Sequence, residues 1–214
     1  GLGPAVHRDL AASLAATQVF RAAWMGLFSS LARRLDMHIV AGSFLLEHRP
    51  GRYYNRCDVF TADGRALWQD KLELTSFEYL TEQIDPGQTL HAFDIDGIAA
   101  GVAICCDSEQ ADNVRAQALA GMRLLLVPSS TDTMLGAARV RAHCMARAGE
   151  NALVVAQAVT AGQAGWSPAL GSNTGQAAVL QATTAGERAA AIQVLAQTSG
   201  DEIWAMAEVD LATV

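Results

Sequence analysis

No uninterrupted apolar stretch of this 214-residue sequence reaches ten residues, so no segment reads as a membrane-spanning helix. Nor does a signal peptide stand out. Charged residues are sparse at 17%, and fifteen basic against twenty-two acidic side chains leave a net charge of −7. The basic residues form no stripe, which argues against nucleic acid or an anionic membrane as a partner. A small neutral or cationic substrate fits better. Cysteine is limited to positions 57, 105, 106 and 144, with neither metal-ligand spacing nor a disulfide framework, and adjacent residues cannot easily share a bridge. His7, His38, His48, His91 and His143 share no ligand spacing, so no metal is expected. Reduced thiols make the cytoplasm the expected location.

What the chain does have is apolar residues, 51% of the total, enough for one globular domain over residues 1–214. An Ala- and Leu-rich run predicts a long amphipathic helix over 8–36, broken near Ser29-Ser30. A strand over 38–46 follows. Asp63-Gly64 between the runs 54–61 and 65–72 is a strong hairpin signal. Further strands are predicted over 90–94, 151–159, 176–181 and 203–210, a helix over 134–150 and loop over 161–175. Residues 183–200, rich in Ala and Gly, carry no legible pattern. Strands alternating with helices, plus a hairpin, point to an α/β fold with a mixed sheet.

The centre of the chain is Gly101-Val-Ala-Ile-Cys-Cys-Asp107. Residues 98–106 read as a buried strand, 108–122 as a helix ended by Gly121, and 124–127 as a second buried strand, together a parallel βαβ unit. Asp107 with Gln110 three residues on has the pattern of a capping box for that helix. A cysteine at the carboxyl end of such a strand, at the mouth of a helix, is where a nucleophile would stand, because the helix dipole favours thiolate. The competing reading makes Cys105 and Cys106 small buried hydrophobes.

Lys71 after a hairpin strand, a glutamate a few residues on, and Ile104-Cys-Cys-Asp107 followed by Arg115 and Leu124-Leu-Leu-Val-Pro-Ser resemble, in that order, the nitrilase or carbon–nitrogen hydrolase superfamily. The resemblance runs over about residues 31–210. Trp68-Gln-Asp-Lys-Leu, Thr75-Ser-Phe-Glu78, Ser130-Thr-Asp-Thr133, Arg139-Val-Arg141 and Trp166-Ser-Pro168 are similar to an amidase-like bacterial branch of it. It implies an αββα sandwich that generally dimerises, so a homodimer is expected. It also implies attack of the Cys105 thiolate on an amide or, second, a nitrile, with release of amine or ammonia and hydrolysis of a thioester, a reaction that needs no cofactor. By the same resemblance Lys71 stabilises the oxyanion and Glu78, chosen over Glu73 and Glu82, orients the site. Arg139, Arg141, Arg147 and Glu150 read as interface or surface charges.

Departures from the family pattern matter. Cys106 stands where Tyr or Trp is usual, Asp112 where Glu is common, and Gln110-Ala111 where Phe-Pro is usual. The family's general base is a Glu in a Pro-Glu context, and this sequence contains no Pro-Glu. General base catalysis is worth roughly 10²–10⁴-fold. The 214 residues alone, opening with Gly1 and without the first strands of the fold, are therefore expected to be inactive, as a fragment of a longer hydrolase. The alternative is a non-catalytic nitrilase-fold binding or assembly protein. A thiol redox role for the adjacent cysteines is the third reading, weakened by the lack of spacer residues between them.

Overall fold

A computed structural model describes residues 3–167, 171–182, 192–198 and 204–211. Two compact units divide the chain, one formed by residues 1–89 and 163–172, the other by residues 90–162 and 173–214.

The first unit opens with α1 (Pro4–Arg8), α2 (Leu10–Thr17) and, after a 3-10 turn over Gln18–Phe20, α3 (Arg21–Leu35). The single helix expected over 8–36 is thus broken at Gln18 and not at Ser29-Ser30. The cause is tertiary. Gln18 turns its side chain onto the strand beside it, donating to Leu45 O at 2.8 Å and accepting from Glu47 N at 3.0 Å. β1 (Ile39–Arg49) and β2 (Arg52–Phe60) pair antiparallel across Pro50-Gly51, where Gly51 has φ +69°, the Pro-Gly order of a type II turn. β3 (Ala66–Asp70) closes the Asp63-Gly64 hairpin as expected, and after α4 (Ser76–Leu80) the short β4 (Ile84–Asp85) runs parallel to β2. Tyr53, Cys57, Val59 and Phe60 of β2 are buried, and Leu14 packs against Tyr53 and Ile84. Arg21 forks onto Asp58, which also accepts from Trp24 Nε1.

The second unit is built on a six-stranded mixed sheet. β5 (Phe93–Ile95) pairs antiparallel with β6 (Ile98–Val102), which runs parallel to β7 (Leu124–Ser130), itself parallel to β8 (Val154–Thr160). The β6–α5–β7 crossover, with α5 over Ala111–Leu119, is the expected βαβ unit, and Gly121 ends its helix with φ +99°. The helix α6 (Met134–Asn151) buries Val140, Cys144 and Ala148. A two-residue ribbon joins β9 (Gly162–Gln163) to β10 (Ser172–Asn173), inside the stretch expected to be loop. β11 (Ala178–Ala182), antiparallel to β8, and β12 (Ile192–Gln197), antiparallel to β11, complete the sheet. The second of these lies in the stretch 183–200 that carried no pattern. No strand forms over Trp204–Asp210, where one was expected from 203; Ile203, and much of 183–200, lie outside the described residues. The fold is α/β with mixed sheets, as expected. Among the described residues no helix is long and apolar enough to cross a membrane.

Candidate active site

Lys71 follows the last residue of β3 and is fixed by its backbone on both sides. Its N–H donates to Asn55 O at 2.9 Å, and its carbonyl accepts from Gly87 N at 2.7 Å. A side chain at position 87 would force its neighbour to shift, since a Cβ there would lie 2.8 Å from Asp70 Cβ and 2.9 Å from Asp70 O. Asp70 is itself clamped by the Arg56 fork at 2.7 and 2.8 Å, and that guanidinium stacks over Trp68. The consequence is a lysine that is only 3% exposed, with Nζ 2.5 Å from Glu78 Oε2.

Glu78 is 8% exposed and fully engaged. Oε2 also accepts from Thr75 N and Thr75 Oγ1, each at 2.9 Å, and Oε1 accepts from Asn55 Nδ2 at 2.9 Å. Thr75 Oγ1 in turn accepts from Glu78 N at 3.2 Å, so the carboxylate closes a capping box at the start of α4. Burial pushes the Glu78 carboxyl pKa up, but the Lys71 charge and these hydrogen bonds together hold it below the usual carboxylate range. The pair is ionic. The Thr-x-x-Glu spacing is a signal that could have singled out Glu78 from sequence without any family; Asn55 carries no such signal.

In the other unit, β6 ends at Val102, Ala103 N still donates to Leu126 O at 3.0 Å, and at Cys105 the backbone turns left-handed, φ +53°. An L-residue there costs roughly 1–2 kcal/mol and persists only where its surroundings impose it. Those surroundings are specific. Asp107 Oδ2 accepts from Ile104 N at 3.0 Å, and Ser108 Oγ donates to Cys105 O at 2.8 Å. Asp107 therefore caps the 3-10 turn Cys105–Glu109 and not α5, whose N-cap is Gln110 without a side-chain bond. The carboxylate is used one turn earlier than its spacing from Gln110 suggests, because the chain reverses at Cys105. The Cys105 side chain is 7% exposed, with Sγ 3.6 Å from Ser130 O, a weak donor against a polar backbone atom. Arg115 lies on the exposed face of α5.

The remaining thiols differ. Burial pushes the Cys144 thiol up to about 12, with smaller opposing effects from Ser108, Arg141 and Arg147, and raises Cys57 still further. Arg147, expected at an interface or surface, is instead 5% exposed, donating to Glu109 O at 3.4 Å and pairing with Glu150. Arg139 is exposed and pairs with Glu109 at 3.0 Å. Among the described residues no group of three or more His, Cys, Asp or Glu is placed to hold a metal.

The carbon-nitrogen hydrolase family profile matches residues 9–214. The chain belongs to the carbon-nitrogen hydrolase family. A probable hydrolase, YhcX, of Bacillus subtilis is 32% identical over 139 residues, covering 65% of this chain and 27% of that protein. Omega-amidase NIT2-B of Xenopus laevis is 30% identical over 140 residues, 62% of this chain and 50% of the relative. The matched region thus spans half the length, or less, of these curated relatives. Among solved structures, the NitFhit protein of Caenorhabditis elegans superimposes with a TM-score of 0.79 at 22% identity, over 95% of this chain and 50% of that one. A variant of the Nesterenkonia amidase with acrylamide added to its active-site cysteine superimposes at 0.70 and 20% identity, over 92% and 74%. These structural neighbours share the nitrilase-superfamily fold.

Proposed function

We propose that this chain carries the nucleophile of an amidase-type hydrolase of non-peptide C–N bonds, with Cys105 attacking the substrate carbon, Lys71 stabilising the oxyanion and Glu78 holding Lys71 in its charged, extended state. The observation that carries the reading is the conformation of Cys105: a non-glycine residue in the left-handed region at the tip of a parallel strand, held by Asp107 and Ser108. Strain retained at such a point is a mark of functional sites. A buried ammonium whose pKa-lowered partner is fully hydrogen-bonded suits the second role, because a fixed cation in a dry environment stabilises developing negative charge without reorganising.

Attack by sulfur forms a C–S bond as the carbonyl π pair moves onto oxygen. Collapse of that oxyanion breaks the C–N bond, and the nitrogen leaves as amine or ammonia with a proton from the medium or a general acid. Water then attacks the thioester carbon, forming the C–O bond of the acid product and returning the thiol. Both the thiol and the water need a proton acceptor, a role that the Pro-Glu carboxylate plays in the family and that no residue described above takes. Amide is preferred over nitrile because the named relatives include an omega-amidase and an amidase. A homodimer in the cytoplasm, acting on a small substrate, completes the proposal. Ammonia release by the gene product that carries this sequence tests it. Cys105→Ala abolishes release while Cys106→Ala retains it; equal activity of wild type and Cys105→Ala would end the reading.

A further inference from the structure

Among the described residues, one half-buried cation of α6 is held by neutral groups. Arg141, on the second turn of α6, is half-buried and donates to two neutral amides, Gln157 Oε1 at 3.3 Å and Gln197 Oε1 at 2.8 Å. Among the described residues no carboxylate pairs with it. Its situation contrasts with its two helix neighbours, since Arg139 holds Glu109 and Arg147 holds Glu150. Withdrawal from water lowers the Arg141 pKa, which is the cost of a guanidinium that has given up hydration without gaining an opposite charge.

Arg141 opens into a cavity of about 350 Å³, within the range of small-molecule sites. Guanidinium only donates, so the Gln157 carbonyl must face it, and the Gln157 amide group, on a side chain just 5% exposed, is left as a donor on the same cavity wall. Of the five N–H donors of Arg141, two serve the glutamines, and among the described residues the rest meet no acceptor. Met134, Ala137, Ala138 and Val159 supply an apolar wall. A planar donor fork beside one further amide donor fits the two oxygens of a carboxylate. A single cation leaves a phosphate dianion half compensated.

We propose that this cavity binds the carboxylate of a small organic acid, with Arg141 and Gln157 holding the head group and the α6 face of Met134 and Ala138 holding a short apolar body. The net charge of −7 favours neutral or cationic ligands globally, but a half-buried guanidinium bonded, among the described residues, to neutral amides reverses that preference locally. The acid is either the far end of the amide hydrolysed at Cys105 or a separate molecule. The first case rests on the reading of Cys105 above, and the second does not.

Butyrate, butyramide and inorganic phosphate, each titrated into the gene product and followed by isothermal calorimetry and thermal shift, test the proposal. Butyrate is expected to bind at least tenfold more tightly than butyramide or phosphate, and Arg141→Met to weaken butyrate at least tenfold. Gln157→Glu, which builds an internal counter-ion, is expected to abolish butyrate binding while leaving the protein folded, so the test survives if Arg141→Met misfolds. Binding must persist in Cys105→Ala, which separates this site from the fate of the catalytic reading. Equal binding of acid and amide, or full butyrate affinity in Gln157→Glu, overturns the proposal. Ammonia release from a neutral amide and from one bearing a carboxylate assigns the source. A tenfold rise in KM confined to the second substrate in Arg141→Met identifies the substrate's own acid group, and unchanged KM for both with lost butyrate binding identifies a separate acid.

Discussion

Lys71 Nζ and Glu78 Oε2 lie 2.5 Å apart with both side chains all but removed from water, and the carboxylate takes three further hydrogen bonds from Thr75 and Asn55. Burying two charges costs several kcal/mol each, recovered only when the geometry and the supporting bonds are complete. Removing one partner should therefore be worse than removing both. Glu78→Leu is predicted to destabilise by about 3–5 kcal/mol, whereas the Lys71→Met/Glu78→Leu double variant costs less than that single change. Urea denaturation of wild type, the Glu78→Leu and Lys71→Met single variants and the double variant measures this, and all the variants should lack ammonia release. A double variant at the sum of the single losses would mean that the pair is not coupled.

Gly87 reaches the same lysine through its backbone. Gly87→Ala drives a methyl group into Asp70 and strains the Gly87 N–H to Lys71 O bond. A loss of about 1–3 kcal/mol is expected from such overpacking, together with a fall in kcat larger than any change in KM. Unchanged kcat would detach the position of Lys71 from turnover.

Asp85 sets an acid limit on the first unit. The Arg52 fork, with His48 and Arg49, outweighs partial burial and holds its carboxyl well below the usual carboxylate range. A depressed folded pKa means that the stabilisation is fully present above the unfolded value, near 4, and is lost as pH falls from there toward the folded one. Urea midpoints between pH 5 and 2 should fall less steeply for Asp85→Asn than for wild type. Parallel slopes would contradict the assignment.

Two of the four thiols are silenced by their surroundings. With Cys144 pushed up to about 12 and Cys57 higher, neither has appreciable thiolate at pH 8. Iodoacetamide on the folded protein is expected to spare both, and in urea to label all four; modification of Cys144 before Cys106 would overturn this.

Local signals were legible where the backbone alone decides. Asp63-Gly64 set a hairpin, Gly121 ended α5, and the apolar runs flanking them became β6 and β7. The elements misread were decided by distant partners. Gln18 leaves the helix for Leu45 and Glu47, on a strand 27 to 29 residues away. Asp107 serves Ile104 because Cys105 takes a left-handed turn that no spacing announces. β12 escaped notice because Ile192–Gln197 is half-buried without alternation and draws its register from β11. At the site, Cys105, Lys71 and Glu78 were named from family likeness, and the lysine–glutamate contact places the last two together. Ser108, which holds the Cys105 carbonyl, was invisible because a lone serine has many equivalent uses.

The direct test of the account is mass spectrometry of the gene product quenched during turnover of an amide, with fragmentation that separates Cys105 from Cys106. The account predicts the acyl mass of the substrate on Cys105 in wild type and none in Cys105→Ala. Continued ammonia release with Cys105 unmodified, or the acyl group on Cys106, would contradict it.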